Sequence, residues 1–177
     1  GIARKLSIAG RFWPQNDARL LLWLFALGSI VALLPIWLVR YPPVTDLPNH
    51  LLGAFTVVHL HDPAYDFARH FTVDLTPRSG ILGHYLMIVL LRAGLSPLLT
   101  EKLYLSLILL MAPWGIWWLL VQLRGHRDGT LLALFSLFLG YNWFFNMGFA
   151  SFSLSVGLFT WGLAAWYRYR QALWAAR

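Results

Sequence analysis

The sequence predicts an all-α integral membrane bundle of about four transmembrane helices, with two interface-lying helices in the first outer loop. Three observations carry that prediction. Hydrophobic residues make up 59% of the chain and charged residues 12%, against about half and roughly a quarter in soluble domains. The mean hydropathy is +0.61, and ten of the 177 residues are tryptophan. Leu20 to Val39 is a nearly unbroken apolar run, and a helix of about twenty residues, rising about 1.5 Å each, crosses the roughly 30 Å hydrocarbon layer.

That run is the first element. Asn16 or Asp17 is placed to cap it, since a short polar side chain accepts from the free N–H groups of a first turn. Arg4, Lys5, Arg11 and Arg19 precede it, and the positive-inside rule then puts the N-terminus in the cytoplasm. The run exceeds the roughly 7–15 residues of a signal-peptide core and no small-x-small cleavage site follows it, so it reads as a retained anchor. Pro42-Pro43 stops the helix.

Thr45-Asp46-Leu47-Pro48 starts a short second helix, with proline in its first turn. Over Asn49 to His61, the residues His50, Ala54, Val57 and His61 share one face. Asp62-Pro63 ends it, and Ala64 to Pro77 is irregular with a short strand at His70 to Leu75. Ile81 to Gly94 is a helix capped by Ser79 and ended by Gly94, with Pro97 beyond. With the first span at about 20–39, the remaining spans fall at 101–123, 130–145 and 151–167, leaving an outer loop of 41–100. Gly157, Gly162, Ala164 and Ala165 read as close helix packing, and Pro35 and Pro113 kink or end their helices.

Charge places the helix at Ile81 to Gly94. If it crosses, Arg124, Arg127, Arg168, Arg170 and Arg177 fall outside, leaving six basic residues inside against eight outside. Lying in the interface, it returns those five to the cytoplasm and makes the balance nine against five. The chain opens on Gly1 and stops just after an apolar run, which reads as the N-terminal part of a longer protein, forming a single transmembrane module over residues 1–177. The net charge of +7 lies beside the apolar runs and forms no stripe with interleaved aromatics, so it speaks for topology and against nucleic acid. With no cysteine there is neither a disulfide nor thiolate chemistry.

The segment Tyr41 to Glu101 holds five of the six histidines and five of the seven acids (Asp46, Asp62, Asp66, Asp74, Glu101), so chemistry is expected there. Asp46 stands first. Flanked by Pro43 and Pro48, with six residues between it and the end of the first span, it is held near the membrane face, where low dielectric raises the value of a general base or a cation ligand. The plain alternative is a helix cap. His59 and His61 point about 200° apart on a helix, and His50 and His61 lie roughly 16 Å apart along its axis. A metal site made of protein ligands alone is therefore not expected, and the histidines, His50 among them, read as contacts to phosphate or headgroups. A divalent cation shared between Asp46 and a lipid-borne phosphate remains open.

Arg69, Arg78 and Arg92 lie outside against the charge trend and offer bidentate forks to a phosphate, or else pair with headgroups or loop acids. Tyr141 to Phe149 emerges on the same face as an aromatic belt. Within it Asn142 and Asn146, at i and i+4, either hydrogen-bond a substrate or tie this turn to the outer loop.

A cytoplasmic N-terminus, one span, an outer loop opening with an acid in PPVTDLPNH, two interface helices and then packed spans resembles the N-terminal module of the GT-C membrane glycosyltransferases. The stretch SPLLTEKLYLSLILLMAPWGIWWLLVQLRGHRDGTLLALFSLFLG is similar to those proteins as well. The resemblance implies transfer of a sugar from a polyprenyl-phosphate-linked donor on the non-cytoplasmic face, in a bacterial inner membrane. It implies a catalytic or metal-binding role for Asp46, with Asp62, Asp66 and Asp74 as candidates for a second acid. The helices at about Pro48 to His61 and Ser79 to Gly94 would match the family's two juxtamembrane helices. The expected partners are the lipid-linked donor and membrane lipids. Two other classes stand beside this one: a non-catalytic subunit of a polysaccharide or glycolipid assembly system, and a transporter. The spans carry almost no charge in their centres, which speaks against transport.

Overall fold

A computed structural model describes residues 16–77 and 80–175, and Arg78 and Ser79 lie outside the described residues. The described residues are helical with turns and contain no strand. The elements in chain order are α1 (Asn16–Leu38), α2 (Leu47–Val58), α3 (Phe67–His70), α4 (Ile81–Arg92), α5 (Pro97–Arg124), α6 (His126–Phe138), α7 (Trp143–Asn146) and α8 (Ala150–Ala175).

Two helices, α1 over Asp17–Leu38 and α5, are long and apolar enough to cross a membrane. Their 22 and 28 residues correspond to about 33 and 42 Å of helix. On α1 the large side chains Trp23, Ile30 and Leu38 are 74%, 60% and 79% exposed, a surface suited to hydrocarbon, since apolar area in water costs about 25 cal/mol per Å2. The helix α8 has the length, but Ser151, Ser153, Ser155, Gly157, Thr160 and Gly162 make it less apolar.

The element α5 is the hub, packed along α6 and α8 and touching α1, α2 and α4. Ser96 starts it, its hydroxyl accepting from the Leu99 N–H. It runs through Pro113, and α1 runs through Pro35 to end three residues later, so neither proline ends its helix at that point. Small residues set how close α5 and α8 come. A side chain at Gly157 would press on Met111, and one at Gly115 would collide with Thr160. Gly162, expected in the same role, has nothing within 4 Å. Lys102, buried on α5, donates to the carbonyls of Trp37 (3.3 Å) and Val39 (2.6 Å) at the end of α1, satisfying acceptors a helix C-terminus leaves over.

The segment expected as one span from Thr130 to about Phe145 is divided. The helix α6 ends at Phe138, residues 139–142 turn, and α7 is a single turn. Asn142 explains the break: its Oδ1 accepts from the Phe145 N–H at 3.0 Å and its Nδ2 donates to the Leu139 carbonyl at 3.0 Å, a local bonding pattern that competes with a continuous helix.

Helices α2 and α4 pack on each other at the end of the bundle where α1 stops and α5 begins. One core runs beneath them, joining Leu47 and Ala54 to Met87, Ile88 and Leu91, to Tyr104, Leu105, Ile108 and Leu109, and to Phe145, Ala150 and Leu154. The helix α2 is shorter than expected: His59 caps its C-terminus and His61 lies in the following turn, off the face that carries His50. His70 closes the single turn α3, and residues 71–77 have no regular secondary structure in place of the expected strand. Gly80, at φ +82°, occupies the N-cap position of α4 in place of Ser79.

Candidate functional site

The site is built around the turn that starts α2. Leu47 is fully buried and fixes this turn to the core, a contribution of about 2 kcal/mol. The Thr45 N–H donates to the Asn146 carbonyl and the Asp46 N–H to the Met147 carbonyl, both at 3.2 Å. Residues 101 positions apart are thereby locked together. Of the two readings of Asn142 and Asn146, the tie to the outer loop has this bond behind it, made by the backbone of Asn146. The side chain of Asn142 is engaged in capping α7.

Asp46 occupies the N-cap position of α2, yet its side chain makes no cap hydrogen bond. Its carboxylate turns to the side chains of the first turn. Asn49 Nδ2 donates to Oδ1 at 3.1 Å, and His50 Nε2 stands 3.2 Å from Oδ2. The i, i+4 spacing puts His50 one helical turn along on the same face. A carboxylate offers about four lone-pair positions, and the Asp46 side chain is 43% exposed, so acceptor capacity is left for an incoming hydroxyl.

The other nitrogen of His50 reaches across to α4. His50 Nδ1 lies 3.4 Å from His84 Nε2, the two rings meeting edge to face with centroids 5.0 Å apart and planes at 82°. Asp46, His50 and His84 thus form a continuous hydrogen-bonded chain. Both histidines line a cavity of about 810 Å3 whose polar wall includes Asn49, Asp74 and Ser151 and whose apolar wall includes Phe71 and Phe149. Tyr85, donating to the Leu75 carbonyl, holds the segment 71–77 against α4 on one side of this cavity.

A second histidine–carboxylate pair sits at the far end of α2, where His59 Nδ1 and Asp62 Oδ2 are 3.3 Å apart. The Ala64 N–H donating to Asp62, and then His59, hold its carboxyl below the usual carboxylate range. Around it His59 packs with Phe55, Tyr65 and Phe67 in an aromatic cluster.

Arg69 is exposed and lies 3.8 Å from Asp66, and Arg92 is exposed in the last turn of α4. Neither lines the cavity, and Arg78 lies outside the described residues. Among the described residues no group of three or more His, Asp or Glu stands close enough to hold a metal ion. Asp46 alone would contribute one carboxylate to a cation otherwise held by a ligand and water. The residue that sequence reasoning missed is His84. It lies in an apolar helix, 34 positions from His50, with no motif around it, and only the pairing of α2 with α4 makes it a neighbour.

The chain matches no family model, no curated protein and no solved structure.

Proposed function

We propose that this chain is the N-terminal module of a membrane glycosyltransferase that moves a sugar from a polyprenyl-phosphate donor to a hydroxyl acceptor on the non-cytoplasmic face. In this reading four spans are supplied by α1, α5, the α6–α7 segment and α8, and α2 and α4 lie in the membrane interface. The observation that carries the proposal is the Asp46 carboxylate. It is free of capping duty and held by Asn49 and His50, which line the cavity of about 810 Å3, while Asp46 itself is not a lining residue.

Asp46 takes the proton of the acceptor hydroxyl as that oxygen bonds to the anomeric carbon. The bond from that carbon to the phosphate oxygen breaks, and the lipid phosphate leaves with the electron pair. His50 holds the carboxylate in place, and the apolar wall around Phe71 and Phe149 receives the isoprenoid part of the donor.

The test compares lipid-linked sugars and surface glycans between wild type and Asp46→Asn at matched protein level in the native host. Loss of one glycan modification with accumulation of its lipid-linked donor is the expected result. An unchanged profile would overturn the proposal and favour a non-catalytic subunit, for which the loop serves only partner contact.

A further inference from the structure

The direction of each hydrogen bond in the chain from Asp46 to His84 follows from the chemistry of its members. An ionised carboxylate can only accept, so the Nε2 of His50 that faces Asp46 must carry the hydrogen. In a neutral imidazole the other nitrogen is then an acceptor, so at His50 Nδ1 the bond must come from His84, whose Nε2 carries the hydrogen. With both rings neutral, one arrangement of hydrogens makes both bonds of the chain: His84 Nε2–H to His50 Nδ1, and His50 Nε2–H to Asp46 Oδ2.

Only one of the two flipped orientations of the His50 ring allows this arrangement, because the flip replaces each nitrogen by a carbon. His84 itself is well fixed. Its neighbour Gly83 lets α4 lie so close to α5 that any side chain there would collide with the Tyr104 hydroxyl. Ser151 at the start of α8 donates to the Gly80 carbonyl at 3.0 Å, and Met87, Ile88 and Leu91 bury the rest of the helix in the core. The ring of His50 is 30% exposed, and its helix α2 is anchored in the same core through Leu47 and Ala54.

We infer that His84 is a positioning residue for Asp46, acting through His50: its Nε2–H selects the orientation and tautomer of the His50 ring and so aims the Asp46 carboxylate at the hydroxyl it deprotonates. The use of that carboxylate rests on the proposed glycosyl transfer, whereas the bonding chain does not. In the reaction His84 does not take the proton, and displacement of a catalytic group by about 1 Å costs on the order of 100-fold in rate. Removal of the His84 donor is expected to lower turnover by about 10- to 100-fold with KM unchanged.

The first experiment needs no substrate. A variant with His59, His61, His70 and His126 replaced by Gln leaves only the pair, and the full chain in lipid nanodiscs is labelled with 15N-histidine and studied at about pH 8.5, about two units above the free-imidazole value. The expected spectrum shows hydrogen on Nε2 of both rings and a scalar coupling across the N–H···N bond from His84 to His50. Hydrogen on His50 Nδ1, or no coupling between the rings, would overturn the inference while leaving glycosyl transfer intact. The second experiment measures glycan transfer in His84→Leu and His84→Gln, the latter restoring an amide N–H donor. Loss in Leu with recovery in Gln is expected. Equal loss in both would overturn the donor role, and an unaltered spectrum with no transfer even in wild type would sink the glycosyltransferase reading and not the bonding chain.

Discussion

Replacing Gly148 by alanine tests whether the junction between α7 and α8 holds the Asp46 turn in place. Gly148 adopts φ +83°, and a Cβ added there would lie 2.6 Å from the Asp46 nitrogen and 2.7 Å from the Leu47 nitrogen. Both are backbone atoms, so no change of rotamer relieves the contact. The left-handed conformation costs an L-residue about 1–2 kcal/mol. Moving the turn away also weakens the bonds from Thr45 to Asn146 and from Asp46 to Met147, each worth about 0.5–1.5 kcal/mol. The expected loss is about 2–5 kcal/mol. Gly94 is the internal control, because it has φ +86° with nothing within 4 Å of the added atom. Gly94→Ala should therefore cost only the conformational part, about 1–2 kcal/mol. Reversible unfolding in mixed micelles measures both, and amide exchange at Thr45 and Asp46 localises the effect, since both amides should exchange faster in Gly148→Ala alone. Equal losses for the two variants, with exchange unchanged at Asp46, would refute the claim that this junction positions the carboxylate.

Two further outcomes follow from the geometry. Lys102→Met removes the donor to the carbonyls of Trp37 and Val39 and should destabilise the fold by about 2 kcal/mol, measured in the same unfolding assay; a stability equal to wild type would mean water satisfies those carbonyls. Since the chain has no cysteine, single cysteines at Thr72 and His126, separated by α5, should react with an impermeant maleimide from opposite sides of the membrane, and labelling of both from one side would rule out the four-span arrangement.

The sequence alone determined the features that depend on near neighbours along the chain. The apolar run from Leu20 to Val39 fixes α1, because a helix satisfies its own backbone hydrogen bonds wherever it lies. Asp46 before Leu47-Pro48 marks the start of α2, and Gly94 with Pro97 marks the gap between α4 and α5. The spacing of Asp46 and His50 at i and i+4 made their contact available to any helix that begins there. Tertiary structure decided the rest. Hydropathy read Thr130 to Phe145 as one span, but the side chain of Asn142 bonds at both ends of a turn and divides it. No local pattern marks His84, which meets His50 only because Gly83 seats α4 against Tyr104. Nor does any pattern foretell that the carbonyls of Asn146 and Met147 take up the N–H groups of Thr45 and Asp46. Periodicity and capping are set within a few residues, whereas these contacts exist only when helices distant in sequence come within bonding distance, and that depends on how the whole bundle packs.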